Sequence, residues 1–157
     1  MALLKEHAIA LSESFVADSK SEWLDILFHF LIEPQLPKTL PTIIYDYPVE
    51  MAALAKLSHA TPQVARRFEV YYGSIELANG FYECDDAIEQ RLRFVRDQQY
   101  RMTNDLSVPV IDERLIAALQ HDFPDCAGVA LGLDRLVMCA LNKEHIHDVV
   151  SFDFQVA

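Results

Sequence analysis

Residues 67–81 constrain the fold more than any other stretch. Arg67-Phe68-Glu69-Val70-Tyr71-Tyr72 alternates, Gly73-Ser74 follows as a turn pair, and Ile75-Glu76-Leu77-Ala78-Asn79-Gly80-Phe81 continues beyond it. A strand pattern on both sides of a two-residue, glycine-containing turn predicts a β-hairpin. A lone hairpin is barely stable in water, so this one needs further strands and an apolar layer against it.

Such a turn sets Tyr71 opposite Glu76 and Glu69 opposite Ala78. Glu69 and Glu76 are then diagonal neighbours on one face, roughly 7–8 Å apart at the backbone. Two carboxylates so placed need positive charge between them. One source is a hard divalent cation such as magnesium, shared with substrate phosphates; the other is Arg66 or Arg67 on a solvated sheet face. The opposite face, with Phe68, Val70, Tyr72, Ile75 and Leu77, is expected to be core. Strict alternation would send Asn79, Phe81 and Glu83 to that apolar side, where an unpaired Glu is costly. A β-bulge near Leu77 or Ala78 would return those three to the side of Glu76.

Elements on either side supply the rest of the domain. Residues 3–11 read as a short amphipathic helix. Ser19-Lys20-Ser21-Glu22 is a helix start, Trp23, Ile26, Leu27, Phe30 and Leu31 recur at helical spacing, and Pro34 and Pro37 end the run. Residues 39–47 predict a buried strand, while 51–57 fit neither period. A charged helix is expected over 85–103, capped by Asp85 or Asp86, with Ile88, Leu92 and Val95 on one stripe. A short helix over 112–120, a buried strand over 126–133 and a helix over 135–141 capped by Asp134 complete the chain. With no repeat and no linker, the expectation is one α+β domain over 1–157, mainly antiparallel sheet flanked by helices.

Charge and cysteine content narrow the chemistry. Lys plus Arg number 13 against 24 Asp plus Glu, a formal charge of -11. That field repels a phosphate backbone, so nucleic acid is disfavoured as a partner. Cys84, Cys126 and Cys139 form no C-x-x-C pair, and the first residues make a poor signal peptide, so the expected setting is cytoplasmic, away from membranes. No G-x-x-x-x-G-K is present to cradle phosphates. His145 and His147 stand without a third ligand nearby and read as surface residues. Arg91, Arg93, Arg96 and Arg101 read as a solvated helix face. Asp46-Tyr47-Pro48 is either a plain strand stop or a ligand contact.

Three stretches together carry a resemblance. Arg67-Phe68-Glu69, Glu76-Leu77-Ala78-Asn79-Gly80-Phe81-Tyr82-Glu83 and Gly128-Val129-Ala130-Leu131-Gly132-Leu133-Asp134-Arg135 resemble the C-terminal catalytic half of lysyl-type class II aminoacyl-tRNA synthetases. The third looks like class II motif 3, a strand passing through glycines into a helix. The likeness extends over nearly the whole chain. It is nearest to the lysyl-tRNA synthetase-like ligases that attach β-lysine to elongation factor P, because those ligases place Ala where Ala130 stands and the tRNA synthetases place Gly.

The resemblance implies a substrate set and a role for each matching residue. Glu69 and Glu76 would hold magnesium and the phosphates of ATP, and Arg135 would bind ATP and act as the catalytic cation. Asn79, Phe81, Glu83, Gly128 and Ala130 would line the pocket for lysine or β-lysine, with Glu83 facing the side-chain ammonium. The implied reaction is adenylate formation followed by transfer to a lysine of elongation factor P, by a homodimer, with tRNA disfavoured as acceptor. Motifs 1 and 2 of the family, which serve dimerisation and α-phosphate binding, are not matched, which implies part of a longer protein without turnover of its own. Two alternatives stand beside this: the catalytic half of a lysyl-tRNA synthetase, and a non-catalytic synthetase-like protein that pairs through an open sheet edge.

Overall fold

The computed structural model describes residues 19–153; the helix expected over 3–11 lies outside them. Among them, four strands form one sheet in the order β1-β2-β3-β4: β1 Pro41–Tyr47, β2 Ala65–Tyr72, β3 Ile75–Tyr82 and β4 Ala127–Leu131. Four α-helices among the described residues accompany it: α1 Lys20–Leu27, α2 Ala87–Thr103, α3 Glu113–Gln120 and α4 Leu133–Ala140. This is the expected antiparallel sheet with flanking helices. The chain falls into two compact units, the described parts of Met1–Tyr45, Phe68–Asn79 and Val129–Ala157, and the second of Asp46–Arg67 and Gly80–Gly128.

In the first unit, α1 begins at a capping box. The Ser19 hydroxyl accepts from the Glu22 amide while the Glu22 carboxylate accepts from the Ser19 amide, satisfying two amides that a helix start otherwise leaves bare. The helical path does not stop at Pro34. It loosens into a π-turn over Phe28–Ile32 and tightens into a 3-10 turn over Glu33–Gln35, where the missing Pro34 amide costs nothing. Gly73, at φ 58°, takes the left-handed conformation of the hairpin turn.

In the second unit, α2 is capped by Asp86, whose carboxylate accepts from the Ile88 and Glu89 amides. The stripe of Ile88 and Leu92 faces outward, with Ile88 74% exposed. The residues that pack are Ala87 and Phe94, against Ile116 and Leu119 of α3, with Ile111 and Phe123 beside them. Burying a side chain such as Ile116 is worth roughly 1.5–3 kcal/mol, so this contact locks the helix pair together. Arg91 and Glu113 join the same two helices at the surface. Residues 51–57, which fit neither period, make turns and two isolated bridges, Ala55 to Glu83 and Leu57 to Ala65. The Arg93 guanidinium donates to the Ala53 and Ala55 carbonyls and holds that segment to α2.

Three further expectations are corrected. The strands over 39–47 and 126–133 are shorter than expected and are the two edges of the sheet, largely exposed rather than buried. The α4 cap is Gly132, with Asp134 inside the first turn. On β2, the buried side chains besides Ala65 are Glu69 and Tyr71, while Phe68, Val70 and Tyr72 are half-buried. The acidic face of β2 is therefore its more enclosed face.

Candidate active site

The first unit gathers the acidic face of the hairpin with the start of α4. Glu69 is 6% exposed. Its Oε2 accepts from the Tyr71 hydroxyl at 2.6 Å and its Oε1 accepts from the Asn79 amide at 3.1 Å. A carboxylate only accepts, so Asn79 must turn its Nδ2 toward Glu69. That leaves Asn79 Oδ1 buried and without a hydrogen-bond partner among the described residues, an acceptor open to a partner beyond them.

The Asn79 contact also bears on the strand. In unbroken register Asn79 would sit on the opposite face from Glu69; the hydrogen bond puts it on the same one. The run of buried residues at Leu77 and Ala78 marks the place where alternation breaks, which is where a bulge is expected.

Arg135 stands over the hairpin from the first turn of α4. Its Nη1 donates to the Glu76 carbonyl at 2.9 Å and lies 4.0 Å from Glu76 Oε2. The Gly132 amide, donating to the Leu77 carbonyl at 2.8 Å, fixes the strand-to-helix junction from which Arg135 projects. Glu76 and Arg135 open onto a cleft of about 610 Å³ whose walls also include Glu33, Tyr71, Met138 and His145. Burial pushes the Tyr71 phenol far above its ordinary value, and the hydrogen bond to Glu69 and the charges of Glu69, Glu76 and Glu33 push it further. Tyr71 is thus a neutral donor among three carboxylates.

The other expected pocket residues, Phe81, Glu83 and Gly128, belong to the second unit, while Ala130 is exposed on β4 in the first. The Phe81 ring lies 5.8 Å beneath the Arg67 guanidinium, which also covers Tyr47 at 4.7 Å and donates to the Met51 carbonyl. Arg67 is therefore partly spent on aromatic faces. The carboxylate of Glu83 sits against Gly128: a Cβ there would come 2.8 Å from Glu83 Oε1. Gly128 is glycine in order to make room for that carboxylate. Gly132 is different, since a Cβ there would make ordinary contact with the Arg135 side chain.

The site fits a metal that arrives with phosphates rather than one held in a protein cage. Among the described residues no group of three His, Cys, Asp or Glu side chains could hold an ion. Glu76 nevertheless offers a part-exposed carboxylate, and magnesium commonly takes one or two carboxylates and completes its shell with water and phosphate oxygens. His145 and His147 stack on each other at 5.2 Å. The sequence reading missed Tyr71 as a partner of Glu69, although its place two residues along the same face was a signal. It also missed Glu33 and His145, for which no local pattern exists.

A sheet-and-helix core with glycines leading into an arginine-bearing helix defines a synthetase-type catalytic domain. The chain belongs to the class II tRNA synthetases (D, K and N), whose family model matches residues 12–155. It is 46% identical to the elongation factor P–(R)-β-lysine ligase of Pectobacterium carotovorum over 99% of this chain and 49% of that protein. It is 47% identical to the ligase of the same name from Vibrio cholerae, over 96% of this chain and 48% of that one. The Klebsiella pneumoniae ligase is 48% identical over 96% and 47%. The chain therefore spans about half the length of the curated relatives it matches.

Proposed function

We propose that this chain is the catalytic half of an ATP-dependent ligase that activates lysine or β-lysine and passes it to a lysine of elongation factor P. The substrate carboxylate attacks the α-phosphorus of ATP and pyrophosphate leaves. The amine of the acceptor lysine then attacks the acyl carbon of the adenylate, and AMP leaves. Neither step needs a protein nucleophile; both need charge held in place. Arg135 supplies the positive charge against the nucleotide, in a planar group suited to phosphate or to stacking on a base. Glu76, with Glu69 behind it, would hold magnesium, which supplies a Lewis acid for the phosphates. Asn79 Oδ1 is an acceptor for a substrate N–H. Glu83, beside Gly128, would face the side-chain ammonium, with Phe81 near it in the same unit.

The observation that carries this reading is the meeting of Arg135 with Glu76, 59 residues apart in sequence. The names of the relatives favour a protein acceptor over tRNA, as does the charge of -11. We place the enzyme in the cytoplasm as a homodimer, with motifs 1 and 2 contributed by chain that this sequence does not contain. The test is pyrophosphate exchange by this chain fused behind the unmatched half of the Vibrio cholerae relative. Exchange that depends on β-lysine or lysine, and that falls at least 100-fold in Arg135→Ala, is expected from removal of a transition-state charge contact. A folded fusion that exchanges with neither amino acid overturns the reading.

A further inference from the structure

We propose that Tyr71 is a positioning residue for the substrate site: its hydroxyl fixes the carboxylate of Glu69, and through it the amide orientation of Asn79. This goes beyond the proposed function but rests on it, since the ligands being oriented for are those of the ligase.

The geometry is a chain of single-direction hydrogen bonds. Each carboxylate oxygen of Glu69 receives a donor, Oε2 from Tyr71 at 2.6 Å and Oε1 from Asn79 at 3.1 Å. Donors on both oxygens oppose rotation about the terminal torsion of Glu69, which is otherwise soft. With the carboxylate fixed, only one orientation of the Asn79 amide satisfies it, and the buried Oδ1 becomes the end presented to a ligand. Tyr71 is itself immobilised. It is 6% exposed, and its ring packs on Phe28 at 5.5 Å between centroids. Phe28 opens the π-turn after α1, so that turn braces the ring whose hydroxyl sets the carboxylate.

The test uses the full 157-residue chain with Tyr71→Phe and Glu69→Gln, and reads three quantities. Phe keeps the ring on Phe28 and deletes only the donor. Its melting temperature should stay close to that of the parent, while calorimetric affinity for magnesium-ATP or lysine falls about tenfold, the weight of one charge-assisted hydrogen bond. Unchanged affinity for both ligands overturns the proposal. The third readout does not depend on ligand binding: the side-chain amide resonance of Asn79 should move in Tyr71→Phe as it does in Glu69→Gln, because both release the carboxylate that orients it. An Asn79 amide signal unmoved by Tyr71→Phe overturns the Tyr71–Glu69–Asn79 link. Binding of neither ligand by the parent chain counts against the ligase reading, while the amide signal still decides the link.

Discussion

Gly128 and Gly132 look alike in the sequence, four residues apart around one short strand, yet they do different work. At Gly128 an added methyl would have to displace the Glu83 carboxylate, whereas at Gly132 it meets only the flexible stem of Arg135 at 3.4 Å. Gly128→Ala should weaken lysine binding at least tenfold, because a carboxylate turned from its place no longer faces the ammonium, a charge-assisted contact worth roughly 1.5–3 kcal/mol. Gly132→Ala should leave that affinity alone and cost about 1 kcal/mol of stability at most, as an Ala in place of Gly at a helix cap. Calorimetry and urea unfolding on the two variants separate the roles; equal effects on lysine affinity would show that Glu83 does not depend on the space at Gly128. What fills the space beside Gly128 was not legible beforehand. The atom that occupies the space beside Gly128 comes from Glu83, 45 residues upstream.

Among the elements, the helix ends were the most legible features, because capping is local chemistry. Ser19 with Glu22, and Asp86, were readable as start signals, and each accepts the amides it should. Asp86→Ala should destabilise the chain by about 1 kcal/mol, read as a lower urea midpoint with unchanged slope; no shift would mean that water replaces the cap fully. Asp134 was misread because an acidic residue one position inside the helix looks like a cap in one dimension. The hairpin and its turn were legible for the same local reason. Which hairpin face is buried was not, since alternation defines two faces without saying which one the rest of the chain covers. The apolar spacing of α2 is equally silent about packing: Ile88 and Leu92 stand at helical spacing, but α3 packs against Ala87 and Phe94.

For the molecule as a whole, one charge cluster ties distant segments of the second unit and sets a pH range. Lys56 donates to Asp85 at 2.6 Å and to Asp125 at 3.2 Å, and the Tyr82 hydroxyl donates to Asp125. The Lys56 bond holds the Asp85 carboxyl below its ordinary 3.8; the Tyr82 hydroxyl first, then Lys56, does the same for Asp125; the Asp85 bond raises Lys56 above 10.5. Carboxyls depressed in the fold contribute stability above pH 3.8 and lose it as pH falls through their folded values. A raised lysine contributes below pH 10.5 and loses it as pH climbs past that point. Unfolding free energy should therefore fall off on the acid side below 3.8 and on the alkaline side above 10.5, and Lys56→Met should flatten the Asp85 share of the acid limb. Identical acid limbs in the two proteins would show that the cluster carries no linkage. At this scale, too, no helix among the described residues is long and apolar enough to cross a membrane.

By itself the sequence determined the hairpin, the helix starts, the α+β class and the family, because each is written in neighbouring residues or in spacings a few positions wide. Tertiary structure alone decided that the enclosed side of β2 is the acidic one, that both outer strands lie open, and that the Tyr71 hydroxyl donates to Glu69. Those outcomes depend on which surfaces meet after the chain turns back on itself. Such meetings join residues tens of positions apart, for which no short-range pattern exists.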